Sequence, residues 1–139
     1  MLLIATLASP VIATSEHDTP NVAWLRTVGW GNDDWAAGIA FDPAGYVYIA
    51  GGSFGFHYNY SDAILVKLNT SGDLEWAVLW DGGGQGLRVA LDAEGNVFLA
   101  GRAGTQLLQQ YQTAFLAKFD SDGRLRWSWI WGTPRTAFA

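Results

Sequence analysis

The residues that could support chemistry in this chain are few, and their spacing assembles little. Glycoside cleavage needs two carboxyl groups flanking the scissile bond. Of the 13 acidic residues, Asp33, Asp34, Asp62 and Asp81 are the candidates for such a pair, but no spacing sets any two of them at a working separation. The histidines are two, His17 and His57, which poorly supplies a His-based zinc site or a Ser-His-Asp arrangement. The absence of cysteine excludes disulfides, thiolate metal sites and a Cys nucleophile. Residues 82–86 (GGGQG) are the most glycine-rich stretch. A phosphate-cradling loop would need Gly-Lys-Ser/Thr or a following helix, so this stretch reads as a connector. Asp120-Ser121-Asp122-Gly123 opens like a calcium loop but lacks the EF-hand spacing and its terminal Glu. The expectation is therefore no catalytic set, no metal site and no cofactor.

Recognition has one better candidate. Residues 53–60 (SFGFHYNY) place Phe54, Phe56, His57, Tyr58, Asn59 and Tyr60 in what reads as a variable loop. Aromatic rings there could stack on the apolar face of a sugar while His57 and Asn59 bond its hydroxyls. The ligand expected of this chain is an unidentified protein or a carbohydrate.

The composition frames these candidates. In 139 residues there are 17 Gly, 8 Trp and 21 charged side chains summing to −5, and half of the residues are apolar. Such a chain can bury a core. Its two Lys and six Arg are scattered singly, so nucleic acid is not an expected partner. Residues 1–13 (MLLIATLASPVIA) are apolar but too short for a membrane span, which takes about 20 residues in a helix. They read instead as a secretory signal without its positive n-region, or as an apolar edge strand or a disordered leader, with residues 1–20 as leader and linker. A secreted or cell-surface location is the corresponding expectation.

The abundance of Trp and Gly comes from a repeat. Residues 38–52 (GIAFDPAGYVYIAGG) match 88–102 (RVALDAEGNVFLAGR) at six of fifteen positions, fifty residues apart. Residues 61–76 (SDAILVKLNTSGDLEW) match 112–127 (QTAFLAKFDSDGRLRW) at an offset of 51, with Lys67, Gly72 and Trp76 recurring as Lys118, Gly123 and Trp127. The segment 103–111 facing 53–60 lacks its aromatic character, so the recognition candidate is not a repeated site.

Each unit reads as four short strands, near 36–42, 46–52, 63–69 and 73–80 in the first. Asp-Pro-Ala-Gly at 42–45 and Asn-Thr-Ser-Gly at 69–72 supply the turns. Strand faces are informative: Val47 and Ile49 oppose Tyr46 and Tyr48, while Ile64, Val66 and Leu68 oppose Ala63 and Leu65. Apolar residues on both sides require both faces of each sheet to be covered, as when four-stranded blades stack around an axis. Trp76, Trp80, Trp127 and Trp131 recur at fixed offsets and read as core.

The whole unit, from Trp30-Gly31 and Asp34 through GIAFDPAGYVYIAGG to DAILVKLNTSGDLEW, resembles the seven-bladed β-propeller repeat of bacterial and archaeal surface or secreted proteins. GIAFDPAGYVYIAGG alone also resembles NHL repeats, and Gly-x-Leu-x-Trp resembles quinoprotein blades. The resemblance implies an all-β fold of propeller blades and a noncatalytic scaffold or interaction role. The expected organisation is a last strand of one blade at 21–30, blades at 36–80 and 86–131, and the start of another at 135–139. These make about two and a half blades, whereas a closed propeller has about four to eight. An incomplete propeller is expected to self-associate through exposed blade faces. Two alternatives follow from the same residues: a carbohydrate-binding lectin closed into a ring by oligomerisation, and part of a propeller enzyme whose catalytic residues lie elsewhere.

Overall fold

The computed structural model describes residues 3–4, 22–29, 33–57, 60–80, 84–104 and 113–132. Among them the fold is all-β. Two short strands, β1 (Leu3–Ile4) and β2 (Leu25–Arg26), pair antiparallel with each other. β3 (Asp33–Phe41), β4 (Val47–His57), β5 (Tyr60–Leu68) and β6 (Leu74–Trp80) form one four-stranded antiparallel meander, the N-terminal sheet. β7 (Gly84–Leu91), β8 (Val97–Ala103), β9 (Thr113–Phe119) and β10 (Leu125–Trp131) form a second, the C-terminal sheet, in the same order.

One turn chemistry is used four times. Asp42 Oδ1 accepts from the N–H groups of Ala44 and Tyr46 at 3.0 and 2.9 Å, while Gly45 N–H donates to the Asp42 carbonyl at 3.0 Å. Asn69, Asp92 and Asp120 do the same for the three other turns. A short acceptor at the first position and a residue of positive φ at the fourth are what such a turn needs. The repeat extends to detail that the sequence does not display. A register shift between Ala36 and Gly38 recurs between Gly86 and Arg88. The Tyr48–Trp76 ring pair, edge-on at 6.1 Å and 66°, has its counterpart in Phe98–Trp127 at 6.1 Å and 66°.

The two sheets stack face to face. The front of the N-terminal sheet (Tyr48, Ala50, Ala63, Leu65, Trp80) and the back of the C-terminal sheet (Val97, Leu99, Phe115, Ala117, Phe119) bury one common core. Strand β7 lies against β3, β4 and β5. Backbone meets backbone there: a Cβ on Gly38 would stand 3.0 Å from the Leu87 carbonyl oxygen, and one on Gly86 3.0 Å from that of Gly51. Away from β7, Trp80 stacks on Phe115 at 4.0 Å and 15° and fills the gap. Trp76 donates its indole N–H to the Ser121 carbonyl at 3.1 Å, and Lys67 reaches the same oxygen at 3.4 Å. The back of the N-terminal sheet (Val47, Ile49, Ile64, Val66, Leu68) is a second core, covered by Trp24 and Val28.

Two expectations change. The stretch 53–60 is not a loop over its described part: β4 runs on to His57 and β5 begins at Tyr60, because Ser53, Ser61 and Asp62 are buried and paired in the ladder. Trp127 and Trp131, expected in the core, are 38% and 54% exposed. The reason is that the middle strands of the N-terminal sheet are buried on both faces, whereas the C-terminal sheet is buried only on its back. The leader, apart from Leu3 and Ile4, and the predicted strand at 135–139 fall outside the described residues.

Removing the Trp80 partner by Phe115→Ala is expected to cost about 3–5 kcal/mol, read from the urea midpoint. The turn glycines give a sharper contrast. Gly95 and Gly123 have the same φ, +81° and +80°, but a Cβ on Gly95 meets nothing within 4 Å whereas one on Gly123 lies 2.9 Å from the Trp76 ring. Gly95→Ala should therefore cost only the left-handed backbone strain, about 1–2 kcal/mol, and Gly123→Ala distinctly more; equal shifts in urea unfolding would contradict the seating of Trp76.

Candidate functional site

The recognition candidates are used differently from what their types suggest. Phe54 is half-buried against Trp35, with ring centroids 5.3 Å apart at 44°, so one face of the aromatic cluster is committed to holding β4 on β3. Phe56 follows in β4, and His57 pairs in register with Tyr60 at the end of the hairpin. Tyr58 and Asn59 lie outside the described residues, as do the side chains of Phe56, His57 and Tyr60.

Two of the four carboxylates do come together. Asp34 and Asp62 are both register partners of Ser53, forming one row across β3, β4 and β5. Asp62 is 1% exposed. A carboxylate so enclosed is closed to a substrate arriving from solvent. Asp33 is exposed on β3, and Asp81 lies outside the described residues. Among the described residues no group of three His, Asp or Glu side chains is placed to hold a metal ion, and no helix is long and apolar enough to cross a membrane.

The charged groups at the turns tie strands to one another. Lys67 lies over the Tyr46 and Tyr48 rings at 4.5 and 5.4 Å, and Lys118 lies over Phe98 at 5.0 Å. Lys118 also pairs with Asp92 at 3.2 Å, each side chain about a quarter exposed. Partial burial raises the Asp92 carboxyl, but hydrogen bonds from the Asn96 side chain and backbone, and then the Lys118 ammonium, outweigh it and hold it at about 2. At Tyr48 burial, then the charge and hydrogen bond of Asp42, push the phenol up to about 12. The backbone N–H of Arg124 is the main cause that lowers Asp120.

The surface with the most unfilled capacity is one that the sequence reading assigned to the core. On the front of the C-terminal sheet, half-buried Phe98, Ala100, Ala114 and Leu116 occupy the positions of Tyr48, Ala50, Ala63 and Leu65. Beside them β10 presents Trp127, Trp129 and Trp131, 38%, 68% and 54% exposed, at the positions of Trp76, Val78 and Trp80. Three tryptophans at every second residue of one strand share a face. That spacing is the signal that could have marked this surface; it was hidden because Trp at a repeat position reads equally as core. At the opposite end of the stack, Ile39 and Phe41 on the back of β3 are 44% and 55% exposed, although their counterparts Val89 and Leu91 pack against the shared core.

What the fold and this surface define, among the described residues, is an all-β chain of two stacked four-stranded antiparallel sheets with an aromatic face at one end. No family model and no curated protein matches it.

The shifted groups set the pH response. Asp92 is lower in the folded chain than its ordinary 3.8, so its stabilisation is complete above that value and is lost as pH falls toward about 2. Asp92→Asn should accordingly flatten the acid limb of stability between pH 4 and 2, measured by Trp fluorescence in urea. Tyr48 is raised above 10.0, so its contribution is present below pH 10 and lost as pH rises toward about 12. Tyr48→Phe should remove that alkaline limb.

Proposed function

We propose that this chain is a noncatalytic β-propeller repeat module of an exported or surface protein, serving as a scaffold or interaction surface, with each four-stranded sheet acting as one blade. The observation that carries the reading is the front of the C-terminal sheet. Its residues repeat those that bury the sheet–sheet core, yet Trp129 and Trp131 remain more than half exposed. An apolar aromatic patch of this kind on a folded surface marks a place where another surface sits. The meander order, the repeated bulge and the conserved turn geometry of the two units support the blade assignment. The apolar character of residues 1–13 supports export, and the pairing of Leu3–Ile4 with β2 is the observation that weighs against a cleaved signal.

The folded chain is expected to bind the dye ANS, with emission falling severalfold in Trp129→Ser while its far-ultraviolet circular dichroism is unchanged. An unaltered dye signal in that variant would remove the interaction-surface reading. A glycan array is expected to stay silent. Specific glycan binding abolished by Tyr58→Ala or Tyr60→Ala would replace this reading with the lectin.

A further inference from the structure

The two ends of the stack are complementary, and the molecule itself contains the template for how they meet. Where the two sheets join, the front of the N-terminal sheet covers the back of the C-terminal sheet. Trp76 lies over Gly123 and donates to the Ser121 carbonyl, which Lys67 also reaches. The same seating occurs one unit earlier, where Trp24 lies over Gly72, with a Cβ there 2.7 Å from its ring. Trp24, Trp76 and Trp127 are thus successive members of one series, as are Gly72 and Gly123. Trp127 is the member with no turn glycine beneath it among the described residues. Conversely, the back of the N-terminal sheet has only a partial cover. Trp24 and Val28 close its centre, but Ile39 and Phe41 stay open, whereas a whole sheet covers Val89 and Leu91.

We infer that the front of the C-terminal sheet docks onto the back of the N-terminal sheet of a second copy of this chain, head to tail, with Trp127 taking the place over Gly72 that Trp24 holds. The inference rests on the reading of the sheets as repeated stacking units. By the internal template, the Trp127 indole then donates to the Thr70 carbonyl of the second copy, and Lys118 comes within reach of that turn. Trp129 and Trp131 lie toward the copy's Ile64 and Val66, the counterparts of Phe115 and Ala117. What must yield is the segment that carries β2, since Trp24 and Val28 lie over Val47, Ile49, Ile64, Val66 and Leu68; β2 itself is two residues long, and its Arg26–Asp73 ion pair is 44% and 62% exposed. Exposed pairs of this kind contribute little. A heterologous contact does not close on itself by a two-fold axis, so association continues beyond the dimer.

The sequence makes the test clean, since the full chain has two lysines and no cysteine. Thr70→Cys chains, half of them labelled with nitrogen-15, are treated with a short amine-to-thiol cross-linker and digested for mass spectrometry. The expected product joins Lys118 of one isotopic population to residue 70 of the other. In the unmodified chain, mass by light scattering should rise with concentration past the dimer, and Trp127→Ala should weaken association roughly thirtyfold in apparent Kd. A monomer at all concentrations, or a species that stops at the dimer without the Lys118 cross-link, overturns the inference. If Trp129→Ser lowers dye binding while no cross-link forms, the interaction surface stands and the head-to-tail register falls; if neither responds, both fall.

Discussion

The stack depends on one contact, the ring of Trp76 lying flat against the turn at Gly123. That turn has to be bare. A Cβ at residue 123 would press into the indole, and the positive φ of the same residue lets the chain reverse between β9 and β10. One glycine therefore meets two demands that no other residue meets together: a left-handed backbone and an unobstructed surface. Because the indole N–H also finds the Ser121 carbonyl, the ring is fixed in orientation as well as in place. The spacing between the sheets follows from it. Trp80, four residues further along β6 on the same face, stacks on Phe115, and the glycines near β7 let the other edge close.

The polar groups are arranged to leave that apolar interface dry. Each turn is held by a short Asp or Asn side chain that takes up its own backbone donors, so the turns need nothing from the core. The lysines carry their charge along aromatic faces to the turn region, where Lys118 meets Asp92 and Lys67 meets a carbonyl. The electrostatics of the molecule are therefore local to strand ends. The buried polar residues Ser53, Ser61 and Asp62 sit together on β4 and β5, where Ser61 donates to the Gly84 carbonyl at 2.8 Å and links β5 to the start of β7 in the other sheet.

Repetition makes the two outer faces of the stack informative. When two units share a sequence pattern but only one has a neighbour, the difference between them isolates what the neighbour does. Trp80 is 4% exposed and Trp131 is 54% exposed. The two occupy equivalent positions of equivalent strands, so the difference reports the missing cover and not the residue. The same comparison between Phe41 and Leu91 describes the other end.

The sequence by itself determined the strands, the turns and the division of each strand into two apolar faces. These follow from local chemistry: β-branched and aromatic runs, Asp or Asn three residues before Gly, and a side-chain period of two. Val47 and Ile49 do go to one core while Tyr48 and Ala50 go to the other. It also aligned the units, because a repeat is visible without any coordinates. Only the tertiary structure decided which apolar faces are covered. Trp76 and Trp127 close the same Gly-x-Leu-x-Trp pattern, and burial depends on what lies across the gap. Tertiary packing likewise decided that 53–57 would extend a strand rather than form a loop, since Phe54 needed Trp35 and Ser53 needed its place between Asp34 and Asp62. Those partners are 19 and 9 residues away from Ser53 along the chain, beyond the reach of local propensity and within the reach of a ladder.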